Sequence, residues 1–188
     1  MTTTPHGTAR VWVSHAPEDY ACPFCEIVGD VTPFSEGNLC APTDLVYRDE
    51  LVTVIIACDG FGDHAGHAMV IPSGHFEALY DLPDDVNAAL AVMTRLVAVA
   101  MKRVWAPEGI STRQHNEPSG NQHVWHYHQH VFPRWAADDL YRQLRRRLPV
   151  DFRATKAREL AASLREVLEE ERRASGGIVT RKAGNRTN

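Results

Sequence analysis

His123-Val124-Trp125-His126-Tyr127-His128-Gln129-His130-Val131-Phe132 gathers four of the chain's ten histidines into one short run. Side chains on a strand alternate between faces. A strand over Val124 to Phe132 therefore aims His126, His128 and His130 the same way, about 6.5–7 Å from one to the next. Tyr127 and Val131 then fall on the opposite face as core contacts. Three imidazoles along one face are costly to bury and contribute nothing as packing. Two alternatives stand beside a catalytic face: an exposed polar strand, and a mononuclear metal site built from the three rings. Strict alternation followed by Pro133-Arg134 weighs against the first.

Ile110 to Arg113 is a further strand candidate, separated from the histidine strand by a Gly/Pro/Asn/Ser loop. Before it, Asp84 to Trp105 predicts a long helix. Val86, Leu90, Met93, Val97, Ala100 and Val104 recur at three- and four-residue steps, the stripe of a helix laid on a core, and Pro83 sits where a missing N–H costs little. Leu45 to Tyr47 and Leu51 to Cys58 read as strands joined by Arg48-Asp49-Glu50, the second a β-branched run of the kind buried on both faces. Asp59-Gly60-Phe61-Gly62-Asp63 has the glycines of a loop, and Ala68 to Ile71 is a short strand stopped by Pro72. Downstream, Asp138 to Leu148 reads as a short helix and Thr155 to Arg173 as a longer one, with a narrow apolar edge of Leu160, Leu164, Val167 and Leu168. The sum is an α+β fold: an antiparallel sheet of about five strands, one long helix packed on it, and a C-terminal helical extension. Residues 1–18 read as a mobile leader, 19–150 as the domain, and 151–188 as the extension with a polar tail from Gly176.

With 188 residues, 44% apolar and 23% charged, the chain has the make-up of one globular domain. A formal net charge of −4 excludes a molecule built as a whole to coat nucleic acid. No apolar run is long and uninterrupted enough to span a bilayer, and the N-terminal stretch lacks the apolar core of a secretory signal, so a cytoplasmic protein is expected. In that setting four cysteines point to reduced thiols or metal ligands ahead of disulfides. Cys22 and Cys25 form a C-x-x-C pair; Cys40 and Cys58 stand alone and read as small hydrophobes.

His126-Tyr127-His128-Gln129-His130-Val131-Phe132 resembles the signature of the histidine-triad family, His-x-His-x-His-x-x with apolar x. Gln129 departs from that pattern, on what should be the non-catalytic face. Cys22-Pro23-Phe24-Cys25-Glu26-Ile27 resembles the family's N-terminal element. Gly66-His67-Ala68-Met69-Val70-Ile71-Pro72 with His75 resembles its Gly-His-x-Leu-Val-Ile-Pro-x-x-His segment. Asn116 and Gln122 stand where family members carry an Asn and a Gln ahead of the triad. The resemblance runs from Cys22 to the vicinity of Asp138.

What the resemblance implies is a nucleotide hydrolase or nucleotidyl transferase acting on dinucleoside polyphosphates or related nucleoside phosphate conjugates. The middle histidine, His128, would attack the α-phosphorus and form a nucleotidyl-histidine, resolved by water, phosphate or another acceptor. His130 and His67 would donate hydrogen bonds to the non-bridging oxygens, and Gln122 would hold the leaving side. His123 occupies a position where the family often carries a hydroxyl near the leaving group. Asp59 would accept the ribose hydroxyls and Asn116 would make a further ribose or backbone contact. From the residues alone, an Asx turn before Gly60 and a turn Asn before Pro118 serve as well.

A subset of the family binds a structural zinc through the C-x-x-C pair, the histidine after the Ile-Pro segment and the first triad histidine. Here those are Cys22, Cys25, His75 and His126, a closed tetrahedral set; a reduced turn is the plain alternative for the two cysteines. No organic cofactor is implied. Family members are commonly homodimers joined sheet edge to sheet edge, with the Asp84 helix at the interface. Arg142, Arg145, Arg146 and Arg147 read as a solvated helix face, or as a cationic face for distal phosphates. A zinc-stabilised nucleotide sensor, using the same contacts without turnover, is the competing function.

Overall fold

The computed structural model of the chain describes residues 12–61 and 66–181. Gly62 and Asp63 of the expected loop lie outside the described residues, as do residues 1–11 of the leader and the tail beyond Arg181. The strands are Leu45–Arg48 (β1), Val52–Ile56 (β2), Asp59–Phe61 (β3), Ala68–Pro72 (β4), Gly109–Gln114 (β5), Gln129–Arg134 (β6) and Arg145–Arg147 (β7). Five of them form one antiparallel sheet in the order β1-β2-β4-β6-β5. This is the α+β architecture expected.

Alternation along the central strands builds two cores. Val52, Val54, Ile56, Ala68, Val70 and Val131 face one side, where they meet the helix Asp84–Trp105 (α2). Ile55, Ala57, Met69 and Ile71 face the other, under the short helix Pro23–Val28 (α1) with its buried Phe24 and Ile27. Every residue of β2 is buried, as a β-branched run covered on both sides should be. The α2 boundaries match the sequence reading. Asp84 and Asp85 meet the positive end of the helix dipole, Lys102 and Arg103 the negative end, and Ala106 turns left-handed at φ 48° before Pro107. No helix among the described residues is long and apolar enough to cross a membrane.

Three expectations are corrected. The triad strand begins at Gln129 and not at Val124, because β4 pairs with β6 only from Ala68 to Val70. Beyond that point the Pro72 carbonyl is met by the His126 ring, at 3.0 Å to Nε2. Residues Asp138 to Leu148 do not form a helix: after a single turn at Leu140–Arg142, Arg145–Arg147 extends and pairs antiparallel with Asp59–Phe61. The expected Asp59 loop is thus partly a strand. A long-range pairing with an acidic partner outweighed the local helix preference of an arginine-rich segment.

The C-terminal helix, Val150–Arg181 (α3), is longer than predicted and runs through the expected tail at Gly176-Gly177. It lies beside α2, over β1 and β2, and buries Ala157, Leu160, Leu164 and Val167 in the shared core. Its first turn is pinned by Arg153, buried against Asp44. The described part of the leader is also placed. Trp12 packs on Tyr80 with ring centres 4.7 Å apart, and the Ser14 hydroxyl and His15 N–H both donate to the Glu77 carboxylate.

Candidate active site and metal centre

The triad lies on the face of the sheet away from α2. Val131 packs into the α2 core, so His130 beside it points to the opposite side, next to Met69 in the ladder. There a cavity of about 500 Å³ opens, walled by Phe24, Leu39, Ala57 and Met69 at its apolar side and by His67, His128 and His130 at its polar side. His128 is 6% exposed. Its Nδ1 sits 2.8 Å from the His126 carbonyl, which can only accept, so Nδ1 carries the proton and Nε2 is left with the lone pair. Burial pulls its pKa down to about 4, which keeps the ring neutral at pH 7. Phe24 meets the His126 and His128 rings edge-on at 5.7 and 5.5 Å.

His130 stands next, ring centre 4.9 Å from that of His128. Its Nδ1 is 2.9 Å from His67 Nε2, so one of the two rings donates to the other. Burial, and then the neighbouring His67, hold His130 well below the ordinary histidine range. His67 lies flat on Phe132 at 4.0 Å, an arrangement that fixes both rings. His67 therefore acts on His130 at least as directly as on anything in the cavity.

The remaining site candidates separate into two groups. Asp59 and His123 line the cavity. Asp59 is already engaged by strand β7, accepting from Arg147 Nε at 2.6 Å and lying 3.4 Å from Arg145 Nε. Gln122 and Asn116 are not among the lining residues. The Gln122 amide donates to the carbonyls of Glu77 and Val124 at 2.7 and 2.9 Å and accepts from Glu117 N at 2.8 Å. Asn116 accepts from Leu79 N at 2.8 Å and exchanges bonds with Gln114 at 2.9 Å. Both amides hold the loop that delivers the triad.

Sequence reading missed Arg113, His115, Cys40 and Cys58, which line the cavity together with Arg145, one of the arginines read as a cationic face for distal phosphates. Arg113 was legible only as the end of a strand candidate; the register that sets it opposite His130 is a property of the sheet. Arg145 reaches the cavity from strand β7, where its arginine-rich segment alone reads as a helix. The carrier of Cys40, ahead of β1, comes near the site only through tertiary folding.

Cys22, Cys25, His75 and His126 meet as expected, with their ligand atoms all within 4.8 Å of one another. Cys22 Sγ lies 3.4 Å from His126 Nδ1, and Cys25 Sγ lies 3.2 Å from His75 Nδ1 and 3.6 Å from His126 Nδ1. A tetrahedral zinc with ordinary bond lengths needs ligand separations of about 3.3–3.8 Å; the three sulfur–nitrogen distances lie close to that range, and the others, within 4.8 Å, would draw in on binding. The outer contact fits too: His126 Nε2–H donates to Pro72 O, which turns the Nδ1 lone pair toward the sulfurs. Bonding between the two cysteines holds the Cys22 thiol far below its usual range and pushes Cys25 up.

A model of the HIT domain, the histidine-triad domain, matches residues 38–137. The chain belongs to the histidine-triad family. The protein Hit of Bacillus subtilis (strain 168) is 31% identical over 119 residues, covering 63% of this chain and 74% of its own length. The zinc-bound histidine triad family protein of Mycobacterium smegmatis is 28% identical with a TM-score of 0.63, covering 80% of this chain and 97% of that one. AP-4-A phosphorylase of Mycobacterium tuberculosis (strain CDC 1551 / Oshkosh) is 30% identical over 95 residues, 50% of this chain and 48% of that one. Residues 138–150 of this histidine-triad protein, with Arg145 at the cavity wall, lie past the matched domain.

Proposed function

We propose that this protein is a nucleotide hydrolase or nucleotidyl transferase, with His128 attacking the α-phosphorus of dinucleoside polyphosphates or related nucleoside phosphate conjugates. The observation that carries the reading is the placing of His128 in the cavity wall, with Nδ1 bonded to the His126 carbonyl, which leaves Nε2 with the lone pair a nucleophile needs. The apolar side of the cavity takes the base, and His130, oriented by His67, donates to the charge that builds on the phosphate oxygens. For Asp59 to accept the ribose hydroxyls, it shares its carboxylate with Arg147. Gln122 and Asn116 serve by holding the loop before the triad, and His123 by lining the cavity.

A zinc ion held by Cys22, Cys25, His75 and His126 belongs to this reading as a structural element. Its chemistry would be to cross-link the N-terminal helix to the triad segment, with no open position to activate water. A homodimer through the uncovered edge of β5 is also part of it, since that strand ends the sheet, and so is a cytoplasmic setting that keeps the thiols reduced.

The test is incubation with diadenosine tetraphosphate, with and without inorganic phosphate, beside a His128→Ala variant, resolving products by chromatography. Cleavage is expected, and is expected to be lost with His128. ADP formed only with phosphate would make the acceptor phosphate. Tight nucleotide binding without cleavage of any α-phosphate bond would replace the enzyme by the sensor.

A further inference from the structure

In the antiparallel pairing of β5 with β6, Arg113 stands directly opposite His130. Opposed residues share a face of the sheet, with Cβ atoms about 4.5–5.5 Å apart, so the Arg113 side chain leaves on the side of the triad. Its guanidinium carbon lies 4.7 Å from the Phe132 ring centre, 5.0 Å from Tyr141 and 5.6 Å from Phe61, at the wall of the cavity. The Nε of Arg113 is buried with no hydrogen-bond partner among the described residues.

Neighbouring arginines differ. Arg134 is neutralised by two bonds to Asp138, at 2.7 and 2.6 Å, and Arg147 by Asp59 at 2.6 Å. Arg145 is opposite Phe61 in the β3–β7 register and lines the same cavity, with a looser 3.4 Å contact to Asp59. Phe61 thus has Arg113 over its ring and Arg145 beside it. Asp59 is the one carboxylate among the described cavity walls, and two arginines already share it. Part of the cavity therefore carries uncompensated positive charge, half out of water, where its attraction for an anion is strengthened.

We propose that Arg113, assisted by Arg145, reads the leaving group: it binds a phosphate beyond the α-phosphate and selects nucleoside polyphosphates, whose departing group is an anion. This rests on the nucleotidyl-histidine reading above. In the first step the His128 Nε2–phosphorus bond forms while the bond from phosphorus to the departing phosphate oxygen breaks, and the electron pair stays on that oxygen. The guanidinium balances the new charge, so the departing group needs no proton. Water then forms the replacement P–O bond, the N–P pair returns to His128, and the water proton passes to solvent. An amine leaving group would need a proton and would offer Arg113 nothing to hold.

Arg113→Met and Arg113→Lys test the assignment. In a His128→Ala background, where turnover cannot intervene, AMP and ATP are titrated and the ratio of their affinities taken. One charge-assisted contact predicts a fall in that ratio of about tenfold or more in Arg113→Met, largely restored by Arg113→Lys. With His128 present, kcat/KM for diadenosine tetraphosphate relative to adenosine 5′-phosphoramidate should fall by a similar factor. An unmoved ratio, or an equal loss of AMP and ATP in both variants, overturns the proposal. A ratio that depends on Arg113 in a protein that cleaves neither substrate keeps the anion site and removes the enzyme reading instead.

Discussion

Arg153→Met asks whether the C-terminal helix is part of the fold or an appendage to it. Arg153 and Asp44 are 2% and 0% exposed, so the ion pair that joins α3 to the turn before β1 has almost no access to water. Arg153 also donates to the Leu39 carbonyl at 3.3 Å, and Asp44 accepts from Ala41 N at 2.7 Å. Removing one member of such a pair leaves a buried charge without compensation and costs ~3–5 kcal/mol, at least a fifth of the ~5–15 kcal/mol that stabilises a typical domain. Met fills the volume of the arginine stem, so the loss reports on charge and not on a cavity. Asp44→Asn added to Arg153→Met should recover more than half of it, because no lone carboxylate then remains.

The pH dependence follows from Asp44. Burial pushes its pKa up to about 6 even beside Arg153. A folded-state pKa above the unfolded value means that the folded chain holds the proton more tightly, so this group's contribution declines as pH rises from the unfolded value through the folded one. Without Arg153 the folded value climbs further, and the deficit of the variant widens above pH 6, by at most ~1.4 kcal/mol per pH unit. Urea unfolding of wild type, single and double variants at pH 5 and pH 8 measures this. A single variant within ~1 kcal/mol of wild type at both values, against the cost expected for a buried pair, refutes the reasoning.

Two further outcomes are expected. A Cβ added at Gly60 would lie 2.9 Å from Leu148 Cδ2, at the point where the β3–β7 ribbon meets the start of α3; Gly60→Ala should therefore cost ~1–3 kcal/mol by thermal or urea unfolding, and an unchanged midpoint would mean that Leu148 moves freely. Cys25→Ser should reduce zinc from one equivalent per chain to near zero by atomic absorption. Losing ~3 kcal/mol or more of metal-coupled stability lowers Tm by ~6–12 °C, and the same Tm in metal-loaded wild type and variant would show the cluster to be dispensable.

Whatever local period and residue chemistry control could be read along the chain. The α2 stripe, the doubly buried β2 run and the alternation that puts Val131 in one core and His130 on the other face were all legible, because each is written within a few residues. Cys22, Cys25, His75 and His126 were named together through the resemblance to the family, and the fold brings the four side chains to one place. Features that depend on partners distant in sequence emerge only in the folded chain. Asp59–Phe61 and Arg145–Arg147 are each too short to form a strand alone and do so only against one another. Gln122 and Asn116 enter the site reading through the resemblance to the family, and only the folded chain shows that their amides bond to backbone groups of Glu77 and Leu79. Arg113 became part of the cavity through strand register, which couples residues 17 positions apart and leaves no trace in either segment read separately.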